Sequence, residues 1–175
     1  GIIVNYDALS RNLKKNKKTI INYFFYLEYA MLIKIIANYR KGFLISSRKM
    51  RKAYIANTAI SFVLAESFYS SSFLEKVAEN FAVIETNAEN YYRNKYEVGI
   101  ILKSGKKIMP IEVKYGKIEL KSTLKFLSEF NLKRAIILTK EVFDKKTVNK
   151  RKILLIPLWA FSLTKENYIK KDFYI

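Results

Sequence analysis

Apolar residues recur along the chain in two rhythms, and each rhythm predicts a kind of element. Ile20, Phe24, Leu27 and Met31 fall at i, i+4, i+7 and i+11, which predicts a helix over residues 17–30 with Asn16 as its cap. Asn5 is placed to cap a shorter helix over residues 6–13, with Tyr6, Leu9 and Leu13 on one side. Lys14, Lys15 and Asn16 form a polar break between the two. Residues 32–39 are rich in β-formers, Arg40-Lys41-Gly42 reads as a turn, and residues 43–46 as a returning strand.

Further on, residues 53–56 predict a short strand, followed by a helix capped by Asn57 or Thr58 that runs to about residue 66. Residues 69–72 read as a polar turn. Leu74, Val77, Phe81 and Ile84 stripe a helix over 73–86. Residues 96–102 alternate as a strand, with Glu97, Gly99 and Ile101 on one face and Val98, Ile100 and Leu102 on the other. Residues 103–106 form a hairpin turn. The returning strand, 107–115, turns Met109, Ile111 and Val113 inward and sets Glu112 beside Lys114 on the opposite face. Leu120, Leu124 and Leu127 predict a helix over 118–130. Residues 134–139 and 153–161 read as apolar strands, with Trp159 in the core. A strand, a crossover helix and a strand imply parallel pairing. The basic run 145–152 reads as a solvated loop able to follow phosphates.

Charge changes the picture more than composition does. The 175 residues hold 33 Lys and Arg against 15 Asp and Glu, a net charge of +18. Such a balance favours a polyanionic partner, whereas the bland reading is a lysine-rich soluble protein. Residues 1–52 carry twelve basic and two acidic groups, so more than half the excess lies there. With no His and no Cys, the chain has no Ser-His-Asp triad, thiol nucleophile, zinc finger or disulfide. Half the residues are apolar, enough for a core. The apolar run at 153–163 contains Pro157 and is shorter than the ~20 residues a membrane span needs. With no secretory signal and no span, the expected location is the cytoplasm, with no membrane partner. A start at Gly1 rather than Met fits a processed or truncated piece.

Two helices, a short turn between them and a basic hairpin follow the plan of a winged helix-turn-helix. The second helix would enter the major groove, presenting Lys17, Lys18 and Asn22. Lys14 and Lys15 would lie beside it, and Arg40 and Lys41 at the hairpin tip would touch phosphate. Arg48, Lys49, Arg51 and Lys52 form a second basic cluster. The alternative is a helical protein-docking module with solvated lysines.

Glu112 and Lys114 carry the candidate chemistry. A carboxylate can hold Mg²⁺ by an oxygen, and a neighbouring ammonium can position water or stabilise charge on a phosphate. Glu79, on the preceding helix, could add a second acid. By themselves Glu112 and Lys114 also fit an ordinary exposed ion pair.

The run Glu97-Val98-Gly99-Ile100-Ile101, a turn, and Pro110-Ile111-Glu112-Val113-Lys114-Tyr115 resembles the core of PD-(D/E)XK nuclease-like domains. More specifically, it resembles the C-terminal region of archaeal and bacterial AAA-type ATPases. The resemblance extends to Asp7-Ala8-Leu9 through Thr19, to residues 23–28, to residues 52–58 and to Glu79-Asn80-Phe81. It implies a winged helix over residues 1–52 and a nuclease-like mixed sheet flanked by helices over 53–175, an α/β (α+β) fold attached to an ATPase module. It also implies Mg²⁺-dependent phosphodiester hydrolysis by Glu79, Glu112 and Lys114, with DNA as partner. The family places a metal-binding Asp where this chain has Gly99, so the resemblance implies metal ligation by Glu112 and a vacated ligand position at 99. That departure implies binding with impaired cleavage. There is no Walker-type phosphate loop in the chain. The alternatives are a non-catalytic DNA- or protein-interaction module that targets the ATPase, and a winged-helix transcription regulator.

Overall fold

A computed structural model describes residues 1–40, 50–65 and 70–173. Asparagine and serine caps start four of the helices. Asn5 accepts from the Ala8 amide at 3.0 Å and opens α1 (Tyr6–Asn12). Asn16 accepts from Lys18 at 2.8 Å and opens α2 (Lys17–Tyr29). Asn57 opens α3 (Thr58–Leu64), and Ser70 opens α4 (Ser71–Glu85). Each cap satisfies an amide that has no partner within its own helix. The remaining helices are α5 (Lys121–Glu129) and α6 (Leu158–Phe173).

The strands are β1 (Ile2–Val4), β2 (Ile33–Asn38), β3 (Arg51–Ile55), β4 (Asn90–Arg93), β5 (Glu97–Ser104), β6 (Lys107–Lys114), β7 (Arg134–Thr139), β8 (Asp144–Val148) and β9 (Arg151–Pro157). They form one mixed sheet in the order β1-β3-β2-β4-β5-β6-β7-β9-β8. The fold is therefore mixed α/β, with nine strands and six helices among the described residues. The crossover through α5 leaves β6 and β7 parallel, as expected.

Alternation divides the core into two layers. Ile36, Tyr54, Ile100, Met109, Ile111, Ile136, Leu138 and Ile156 face α4 and α6. Val98, Ile101, Ile137, Leu155 and Tyr92 face α5, which contributes Phe126 and Leu127. Two asparagines complete the backbone ladder where strands run short. The Asn80 amide accepts from Ile55 N–H at 3.0 Å and donates to its carbonyl at 2.6 Å, beyond the end of β1. Asn38 does the same for Arg93, at 2.9 and 2.8 Å.

Several expectations are corrected. The strand that returns to β2 is β3, with Ile33 opposite Ile55, and the expected return at 43–46 lies outside the described residues. The expected domain boundary between 52 and 53 falls inside β3, within a continuous sheet. Strict alternation fails in β5. The register shifts between the Asn90–Ile101 and Tyr92–Val98 pairs, so a bulge turns both Val98 and Ile101 toward α5. Residues 145–152 are not a loop but the β8–β9 hairpin. Asn149 and Lys150 both adopt positive φ (50° and 61°), as a two-residue hairpin turn requires. Pro157 ends β9, where the sequence pattern continued the strand to 161. Trp159 then lies on α6 and is 65% exposed rather than in the core.

Candidate functional site

The β5–β6 hairpin turns at Gly105, whose φ of 58° suits a residue without Cβ. Back along the hairpin, Ile100 pairs with Ile111, which brings Gly99 against Glu112. The Gly99 N–H donates to Glu112 Oε2 at 3.1 Å, and Lys114 Nζ stands 3.1 Å from Glu112 Oε1. Both side chains are largely enclosed, at 12% exposure for Glu112 and 26% for Lys114. Burial pushes the Glu112 carboxyl above its ordinary range despite the opposing pull of Lys114 and the Gly99 amide. A Cβ built on Gly99 meets nothing within 4 Å, so this position faces open room beside the Glu112 carboxylate.

Glu79 belongs to a second cluster. Its Oε1 accepts from the Tyr54 hydroxyl at 2.7 Å and from Lys52 Nζ at 3.2 Å, with the Gly1 amine 3.7 Å away. Lys52 also donates to Glu97, which lies 3.6 Å from Arg93. The Lys52 ammonium stands 5.2 Å from the centre of the Tyr91 ring and is 6% exposed. Burial by itself would raise the Glu79 carboxyl, but the Gly1 ammonium, Lys52 and the Tyr54 hydroxyl together hold it below its ordinary value. Burial would likewise lower Lys52, yet the Glu79 charge and the Glu97 hydrogen bond outweigh it and raise its pKa. Burial, followed by the Glu79 charge, pushes the Tyr54 hydroxyl far up, so it stays protonated as a donor.

The expected constellation is thus assembled in part. Glu112, Lys114 and position 99 come together, whereas Glu79 is drawn into the Lys52 cluster, although its charge still reaches Glu112 and adds to the rise in that pKa. Among the described residues, no three acidic, His or Cys side chains are placed to hold a metal ion. As the side chains stand, Glu79 and Glu97 are engaged by one ammonium and Glu112 by another.

Sequence reasoning set Lys52 on a nucleic-acid-binding surface, but it is a buried, ion-paired residue of the interior. The signal was present in the sequence, because Lys52 lies two residues from Tyr54 on one strand and shares its inward face. Tyr54 was likewise missed as a partner of Glu79, and Glu97 as a partner of Lys52. Lys14, Lys15, Lys17, Lys18, Asn22, Arg40 and Arg51 are exposed, with Lys17 paired to Asp7 at 2.8 Å. Lys41, Arg48 and Lys49 lie outside the described residues.

A family model described as a domain of unknown function (DUF8612) matches residues 1–69, from β1 through α3. No curated protein matches the chain. No solved structure matches it. Among the described residues, no helix is long and apolar enough to cross a membrane.

Proposed function

We propose that the chain is a non-cleaving, DNA-binding relative of metal-dependent nucleases, with a winged helix at one edge of its sheet, acting beside an ATPase module. The observation that carries this reading is the Glu112–Lys114 pair set against an open position at Gly99. Such a site is one carboxylate short of gripping a divalent ion. The strand order β1-β3-β2 around α1 and α2 supports the winged helix. Internal pairing of Glu79, Glu97 and Glu112 leaves the excess positive charge directed outward, toward a polyanion.

The test compares wild type with Gly99→Asp on labelled duplex DNA, in Mg²⁺ and in EDTA. Wild type binds in both with a steep salt dependence and leaves the DNA intact. A Cβ at 99 meets nothing within 4 Å, so Gly99→Asp is sterically admitted, and its folding is checked by circular dichroism. The variant gains a Mg²⁺-dependent rise in unfolding temperature and Mg²⁺-dependent cleavage. A folded variant that gains neither defeats the nuclease ancestry, and wild-type binding that is absent or indifferent to salt defeats the DNA reading.

One observation favours a second reading, in which α2 docks a protein. Phe25, Tyr26 and Tyr29 are 61%, 60% and 79% exposed on the helix that would carry Lys18 and Asn22 into a groove. Lys18→Gln combined with Asn22→Ala discriminates between the two. DNA affinity falls tenfold or more if α2 reads a groove and is unchanged if α2 docks a protein.

A further inference from the structure

The face of the sheet that carries α4 and α6 has a second feature, over the start of β7. A cavity of about 310 Å³ opens over β7, β8 and β9, with Met109, Ile136 and Leu154 on its floor. Its charged lining is Arg134, Lys145 and Lys152, and no described residue lining it is acidic. Arg134 is the register partner of Lys152 across β7 and β9, and Lys145 sits opposite Leu154, two residues along from the partner of Lys152. Cations set directly opposite on adjacent strands weaken a sheet. Lysines on an edge strand do guard against strand addition, which accounts for Lys145 on β8. It does not apply to Lys152, which lies on the interior strand β9.

We propose that this trench binds the phosphate backbone of a nucleic acid, as a contact surface separate from α2 and from the Glu112 pocket. The proposal rests on the DNA-binding reading above and names the surface that carries it. The apolar floor strengthens the field of the three cations, and their spacing along β7–β9–β8 follows a run of phosphates rather than one base edge. Glu112 pairs with Ile137, three residues beyond Arg134, so the trench lies about 10 Å along the strand from Glu112.

The test uses the full chain and a labelled duplex, with affinity measured against salt concentration. Lys145→Gln with Lys152→Gln is compared with wild type and with a control, Lys103→Gln with Lys106→Gln, two exposed lysines at the end of the β5–β6 hairpin. Both trench lysines are exposed, and equal unfolding temperatures establish that the sheet is intact. The trench variant is expected to lose about 1.8 from the slope of log affinity against log salt, two phosphate contacts' worth, while the control loses less. An intact variant with the wild-type slope overturns the trench and leaves the DNA reading standing. A wild type that binds no nucleic acid overturns both. Equal losses in the trench variant and the control show a diffuse field and overturn the trench as a site.

Discussion

Lys52→Met removes the ammonium from the acidic cluster while keeping most of the side-chain volume. Removing one partner of a fully buried ion pair costs about 3–5 kcal/mol, because the other charge is left uncompensated. Here the discount is visible in the structure. Lys52 is 6% exposed, but Glu79 and Glu97 are 28% and 37% exposed. Glu79 also keeps the Tyr54 hydroxyl at 2.7 Å, and Glu97 keeps Arg93 at 3.6 Å. The expected loss is therefore about 2–3 kcal/mol at neutral pH, a fall of about 5–10 °C in unfolding temperature for a chain of this size. Its pH dependence follows from the shifts. Glu79 is depressed in the folded state, so its contribution is present above the unfolded carboxylate value of about 4.3 and is lost as pH falls through the lower folded value. Lys52 is raised, so its contribution is complete below about 10.4 and is lost as pH rises through the higher folded value. The variant's deficit is largest between these limits and narrows in acid, where its carboxylates protonate. Urea unfolding followed by far-UV circular dichroism measures it, since Trp159 is too exposed to report on the core. Adding Glu79→Gln to Lys52→Met should recover part of the loss. A deficit below about 0.5 kcal/mol, or one unchanged at about pH 4, would refute the reasoning.

Lys114→Met leaves Glu112 enclosed with only the Gly99 amide, and stability falls by about 1–3 kcal/mol near pH 8. Because burial already raises the Glu112 carboxyl, its protonation stabilises the folded state below the unfolded value and this gain fades as pH rises through the folded one. The deficit of the variant therefore shrinks toward pH 4, and chemical denaturation at the two pH values checks it. Asn80→Ala strips Ile55 of both its amide and its carbonyl partner and costs about 2–3 kcal/mol by urea titration. A loss under about 0.5 kcal/mol would mean that water replaces the asparagine at the end of β1.

Most helices were legible because their signals are local. Asn5, Asn16 and Asn57 announce their caps before any tertiary contact forms, and the period of Leu74, Val77, Phe81 and Ile84 marks the α4 stripe. The β5–β6 hairpin was legible through Gly105 and the alternation of β6. The bulge between Val98 and Ile101 was not, because a bulge depends on how β4 meets β5 and leaves no mark on β5 alone. The β8–β9 hairpin was hidden by its composition, since Asp144, Lys145, Lys146 and Thr147 look like solvated loop until β9 supplies a partner.

By itself, then, the chain's order of residues determined where α1, α2 and α3 start, where the β5–β6 hairpin turns, which residues of β6 face the core, and that Glu112 and Lys114 project together. Those outcomes follow from backbone geometry over a few residues. Tertiary structure alone decided that Glu79 serves Lys52 rather than Glu112, that Lys52 is interior rather than surface, and that Arg134, Lys145 and Lys152 meet in one trench. The physical reason is range. These groups are brought together by strand order and register across the sheet, and electrostatic pairing depends on distances that only the assembled sheet sets.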